Sequence, residues 1–187
     1  MRAYANANKI LGMINRTIVN KNSNIMVKLG LYKSLVRPHV EYCTAVWSPY
    51  YVKDKELIEK IQHRFTKMIT EVKHLSYTDR LLQLGLWTLE ERRNRSDLIE
   101  VYKMLHGLTT ISYKKFFELT TNKRTRGNSL TLIKHRFATV IRQHFFSERV
   151  VNRWNSLDNE TVTASSLNCF KSKLNKLRLM KMGFFMD

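Results

Sequence analysis

Polymerases and nucleases hold paired divalent cations with clustered carboxylates, whose hard oxygens are the ligands such ions need. This sequence has no adjacent Asp pair and no Asp-x-Asp. Its only adjacent acids, Glu90 and Glu91, open a helical pattern, where negative side chains offset the positive end of the helix. Cys43 and Cys169 stand far apart, and two cysteines cannot supply the four ligands of a structural zinc site unless histidines join them. Both cysteines sit in apolar company and read as buried free thiols, the state expected in a reducing compartment. His39, which follows Pro38, reads as a core or capping histidine rather than a general base. Neither a Gly-x-x-x-x-Gly-Lys phosphate loop nor a Gly-x-Ser-x-Gly nucleophile turn occurs. The expectation is a chain with no catalytic residue, metal site or cofactor of its own.

Binding chemistry is better represented. The 33 Lys and Arg outnumber 15 Asp and Glu, for a formal charge of +18. A domain with that charge repels itself unless an acidic partner offsets it. The partner expected is a phosphate backbone, with an anionic lipid surface second. Residues 123–181 concentrate the excess, with 13 cations against 3 acids. There Lys123, Arg124, Arg126, Lys134, Arg136, Arg142, Arg149 and Arg153 alternate with Phe137, Phe145, Phe146 and Trp154. Cations neutralise phosphates and aromatic faces stack on unpaired bases. Phe146 and Trp154, however, share an apolar stripe with Val150 and fit a core equally well. Arg92 and Arg93, with Arg95, are further candidate contacts on a helix whose solvated face would explain them too.

The elements that must present these side chains are mainly α-helical, as the six Gly and two Pro in 187 residues allow. Ile10, Ile14 and Ile18 mark one amphipathic helix over 5–19, and Ile25, Leu29, Tyr32 and Val36 a second, interrupted or kinked by Pro38. Asn24 and its polar neighbours offer N-caps between them. Tyr42–Tyr51, with Trp47 and Pro49, reads as a buried aromatic corner. Leu57, Ile61, Phe65, Met68 and Val72 mark a third helix. Ser76 with Asp79 and Thr88 with Glu91 have capping-box spacing and start helices near 77–84 and 89–106, the latter ended by Gly107. Leu130 and Leu132 alternate like a strand, and Leu167, Phe170, Leu174 and Leu177 form a last helix capped by Ser165 or Ser166. The expected organisation is a helical bundle over 1–118, a basic polar loop over 119–129, and a small basic C-terminal subdomain over 130–187, helical or mixed.

Particular strings go further than composition. Leu31-Tyr32-Lys33-Ser34-Leu35-Val36-Arg37-Pro38-His39-Val40-Glu41-Tyr42-Cys43, followed by Val46-Trp47-Ser48-Pro49, resembles the polyproteins of jockey-like non-LTR (LINE-type) retrotransposons, in the segment after the reverse transcriptase palm. The likeness continues through Leu84, Leu86, Leu89, Glu90, Arg92-Arg93, Asp97-Leu98-Ile99 and Tyr102-Lys103. It resumes at Thr125-Arg126-Gly127, Phe145-Phe146-Ser147, Arg149-Val150-Val151, Trp154-Asn155, Ser166-Leu167-Asn168 and Phe170-Lys171, spanning nearly the whole chain. One departure falls at Asp158, where such proteins commonly place Pro.

The resemblance implies a thumb and post-thumb region that helps to hold RNA, DNA or an RNA–DNA hybrid for an RNA-directed DNA polymerase. The Mg-binding aspartates of that family's palm, and the acidic site of its endonuclease, lie outside these residues. The chain then reads as a nucleic-acid-binding fragment of such a polymerase, as a decayed remnant, or as a host-adopted RNA/DNA-binding or protein-interaction module. Absence of a long apolar run or a signal peptide points to an intracellular, nuclear or cytoplasmic protein that is neither secreted nor membrane-bound. Residues 1–40 lack acids, as a mitochondrial presequence does, but their unbroken helical pattern fits the fold better.

Overall fold

Periodic apolar residues, strong caps and few breakers produce a mainly helical protein, described by a computed structural model over residues 2–17, 24–120 and 128–187. Two compact units divide between Arg92 and Arg93, inside a helix; residues 121–127 of the polar loop expected at 119–129 lie outside the described residues. Among the described residues no helix is long and apolar enough to cross a membrane.

The first unit begins with α1 (Arg2–Thr17), which buries Ala7, Leu11 and Ile14 and lies against the later helices α3 (Pro38–Glu41) and α5 (Val52–Lys67). Asn24 caps α2 (Ile25–Leu31) by accepting the Met26 N–H at 2.8 Å. Pro38 lacks a donor, and its ring would strike the carbonyl four residues back. The chain meets this by widening into a π-helical turn over Tyr32–Val36, closed by Arg37 N–H donating to Tyr32 O at 3.0 Å. Cys43 then takes a left-handed conformation (φ 52°) before α4 (Thr44–Trp47). That turn exposes Cys43, and Cys169 is half-buried, so the two free thiols are not core residues as expected. His39 is exposed as well, on the outer side of its short helix.

The aromatic segment behind α4 is likewise more open than its composition suggests. Tyr42 and Tyr51 are exposed and Trp47 is half-buried, its indole N–H donating to Tyr42 O at 2.6 Å. The core of this unit is instead built around Tyr32, stacked on Phe65 at 4.1 Å, with Val36, Val40, Ile58, Ile61 and Ile69. Gln62, fully buried, satisfies its amide there by accepting from Tyr32 Oη at 2.9 Å and donating to Trp87 O at 2.9 Å and Tyr77 Oη at 3.1 Å. Burial, helped by Glu59, pushes the Tyr32 and Tyr77 phenols well above their ordinary range, so both stay neutral donors.

Both N-caps form, and the second is a full reciprocal capping box. Ser76 Oγ accepts the Asp79 N–H at 3.2 Å to start α6 (Tyr77–Gln83). Thr88 Oγ1 accepts the Glu91 N–H at 3.1 Å, and Glu91 accepts the Thr88 N–H at 2.9 Å, to start α7 (Leu89–Leu105). Glu59 adds an acceptor for the Leu89 N–H at 2.9 Å, and Glu90 pairs with Lys55 at 2.6 Å. The adjacent acids Glu90 and Glu91 thus serve a helix N-terminus. At the other end Gly107, at φ +66°, lets Leu108 N–H reach Lys103 O at 2.8 Å, a turn that a side chain would strain.

The second unit gathers Leu98, Val101 and Tyr102 of α7 with α8 (Val140–Gln143), α9 (Phe146–Arg149), α10 (Val151–Asn155), α11 (Asn159–Val162) and α12 (Leu167–Met180). Tyr102 stacks on Phe170 at 4.3 Å and donates to Ala164 O at 2.7 Å. The strand expected at Leu130–Leu132 shrinks to one antiparallel bridge between Leu119 and Leu132. Asn155 takes the place of a further strand, accepting the Leu132 N–H at 2.9 Å and donating to Leu132 O at 2.8 Å. Ser166, rather than Ser165, caps α12 through the Cys169 N–H at 3.2 Å.

Asp158 caps α11, accepting the Thr161 N–H at 3.1 Å and its hydroxyl at 2.6 Å. Its φ of −71° is one a proline ring also allows, so either residue fits this turn. Burial works against the charge, but the Thr161 hydrogen bonds outweigh it and hold the carboxyl below its usual range. Asp158→Ala should therefore lower stability by about 1 kcal/mol, the usual worth of an N-cap. A depressed folded value means the contribution is present above the unfolded pKa of about 4 and fades as pH falls through the folded one. Denaturant melts of both proteins at pH 7 and pH 2 check this; a constant difference would contradict it.

Candidate nucleic-acid interface

From Leu119 to Ser147 the sequence has no Asp or Glu, while it carries Lys123, Arg124, Arg126, Lys134, Arg136 and Arg142. Lys123, Arg124 and Arg126 lie outside the described residues. Lys134 and Arg136 are exposed on an irregular stretch and form no ion pair among the described residues. Arg142, on α8, keeps 53% of its side chain exposed although it pairs with Glu148 at 3.2 Å. Its guanidinium also lies over the Phe145 ring at 5.5 Å. Thr139 fixes this short helix by accepting the Arg142 N–H at 3.4 Å.

Exposed apolar groups alternate with these cations. Ile133, Val140, Ile141 and Phe145 face solvent, and Phe137 is half-buried. A segment that shows water cations and flat or branched apolar faces, and no carboxylate, can neutralise phosphates and cover bases in the same stretch of chain.

The other arginines singled out in the sequence are held within the fold. Arg92 grips Glu41 with two hydrogen bonds, its Nη2 donating at 2.8 Å, and Glu41 raises its pKa against the effect of burial. Arg93 is only 2% exposed. Arg149 donates to both oxygens of Asp97, at 2.8 and 3.1 Å, and to His144 O at 3.1 Å. Arg153 donates to Phe184 O at 3.0 Å and to Asp187 at 2.7 Å. Charge alone gave no signal separating these four from exposed cations. Burial of the neighbouring apolar stripe did: Arg149 and Arg153 flank Val150, Val151 and Trp154, all buried.

Phe146 and Trp154 are buried too, and only Phe145 and Phe137 of the four aromatics offer any face to a base. Sequence reasoning did not single out Ile133, Val140 and Ile141, which are exposed on the irregular stretch and the single helical turn on which they sit. Comparison with known protein families, curated proteins and solved structures finds no match.

Proposed function

We propose that this chain is a nucleic-acid-binding region of a non-LTR retrotransposon RNA-directed DNA polymerase, acting with a palm domain outside these residues. The observation that carries the binding reading is the acid-free segment around Lys134, Arg136 and Arg142, where exposed cations and apolar side chains alternate. The polymerase assignment rests on the resemblance of the strings at 31–49, 84–103 and 145–155. The region holds a template or an RNA–DNA hybrid by its phosphates and supplies no chemistry itself; any Mg belongs to the palm.

Each phosphate contact releases condensed counterions, so log affinity falls with log salt at about 0.7 to 0.9 per contact. Replacing Lys134, Arg136 and Arg142 together with Ala should reduce that slope by about two to three units on a labelled RNA–DNA hybrid. The loss should be similar for every sequence, because phosphate contacts position a protein without reading bases. Lys33, Lys60 and Lys73, also exposed, serve as a control triple that should leave the slope nearly unchanged. Equal effects of the two triples would reduce the interface to bulk charge. Stronger retention of the wild-type protein on anionic vesicles than on the hybrid would replace nucleic acid with lipid as the partner.

A further inference from the structure

Within the first unit a pocket of about 400 Å³ opens between the start of α1 and the segment from Trp47 to Ile58. It is lined by four aromatic residues, Tyr4, Trp47, Tyr50 and Tyr51, together with one cation, Arg2, and one carboxylate, Asp54. We propose that this pocket binds an unpaired guanine nucleotide. The inference rests on the nucleic-acid reading above and names a base for it.

Size and shape come first. Pockets for small ligands run from roughly 300 to 1,000 Å³, so this one suits a single nucleotide. Flat aromatic walls suit a base, whose π-face stacks on such rings whatever its identity. The walls are set before a ligand arrives. The Trp47 indole is tied to Tyr42 O, the Tyr50 and Tyr51 rings lie 4.2 Å apart, and the lining residue Ile58 is 2% exposed. Holding the site in place in advance lowers the ordering cost of binding.

The charges then choose the base. Asp54 and Arg2 pair neither with each other nor with any other described residue. An ionised carboxylate only accepts hydrogen bonds. Guanine presents two neighbouring donors on one edge, its N1–H and N2 amino group, which match the two carboxylate oxygens. Adenine and cytosine place a ring-nitrogen acceptor beside their single amino group, and uracil flanks its N–H with carbonyls, so each sets a lone pair against Asp54. Arg2 supplies the complementary partner for the phosphate.

A quaternary ammonium would also favour aromatic rings beside a carboxylate. Here Arg2 lines the same pocket, so a cationic ligand meets a like charge there.

The test is calorimetric titration of the full chain with GMP, AMP, CMP, UMP and tetramethylammonium. GMP should bind at least about tenfold more tightly than the other nucleotides, a modest demand on a pair of charge-assisted hydrogen bonds. Asp54→Asn, on an accessible helix start, should bring the four nucleotides within about threefold of one another. Tyr50→Ala should weaken all of them together. A pentamer of U with one central G, compared with all-U, separates a nucleotide within a strand from a free one. Equal affinity for the four nucleotides, no binding, or tighter binding of tetramethylammonium would each overturn the proposal. Failure here with the hybrid's salt slope intact removes only the pocket, whereas loss of the slope effect with guanine preference intact removes only the phosphate surface.

Discussion

Trp154→Ala is expected to destabilise the protein by about 3–5 kcal/mol, the range for a large aromatic truncated in a core. Trp154 is 0% exposed, and its ring lies 6.0 Å from that of Phe170. Its indole N–H also donates to Leu130 O at 2.9 Å, so truncation empties a large volume and leaves that carbonyl without its donor. Trp154→Phe separates the two effects. It refills part of the volume but still removes the donor, and should cost about 1–3 kcal/mol. Phe145→Ala, at a residue 53% exposed, should stay within about 0.5 kcal/mol of the wild type. Guanidinium melts followed by circular dichroism measure all three. A Trp154→Ala protein that melts like the wild type but binds RNA more weakly would make this residue a base-stacking contact instead.

The same residue marks how far the sequence could be read. Helices, caps and the Phe146–Val150–Trp154 stripe were legible because each follows from local rules: apolar spacing, a Ser or Thr three residues before an acid, a glycine after the last turn. The Ser76 cap, the Thr88–Glu91 capping box and Gly107 form as those rules require. Cys43 and the aromatic corner were not legible. Their apolar neighbours suggested burial, but the π-helical turn before Pro38 and the left-handed Cys43 reset the direction of the chain, and no periodicity encodes that. The strand at Leu130–Leu132 was half legible. Alternation was present, yet its second partner is the Asn155 side chain, a pairing with no signature in sequence spacing.

For the interface the limit was different. Composition located the cations but could not say which would be spent inside the fold. Arg92, Arg93, Arg149 and Arg153 look like Lys134 and Arg136 in a charge count, and only the position of Glu41, Asp97, Asp187 and the buried stripe tells them apart. Several residues that carry the family resemblance, among them Tyr32, Asp97, Arg149, Trp154 and Asn155, make hydrogen bonds within the fold. A likeness carried by such residues speaks first about architecture, so the binding surface needs its own test.

The Asp97–Arg149 pair provides that test from the structural side. Asp97 is 1% exposed, and burial lifts its carboxyl above the usual range while the Arg149 guanidinium pulls the other way. Taking both charges out of water offsets much of their attraction, so the pair adds little net stability, yet removing one partner strands the other. Arg149→Met should therefore destabilise by about 3–5 kcal/mol near neutral pH. A raised folded pKa means that folding favours the protonated carboxyl, an advantage that is full below the unfolded value of about 4 and is lost as pH rises through the folded one. Without Arg149 the folded value rises further, so the deficit of Arg149→Met against wild type should be smallest in acid and grow with pH. Asp97→Leu combined with Arg149→Met replaces the ions with apolar side chains and should recover most of the loss. That double variant, once folded, should keep the wild-type salt slope on the hybrid, because Arg149 is committed to Asp97 and His144 rather than to phosphate. A slope lower by about one unit would instead make Arg149 a phosphate contact, and the interface would then extend onto α9.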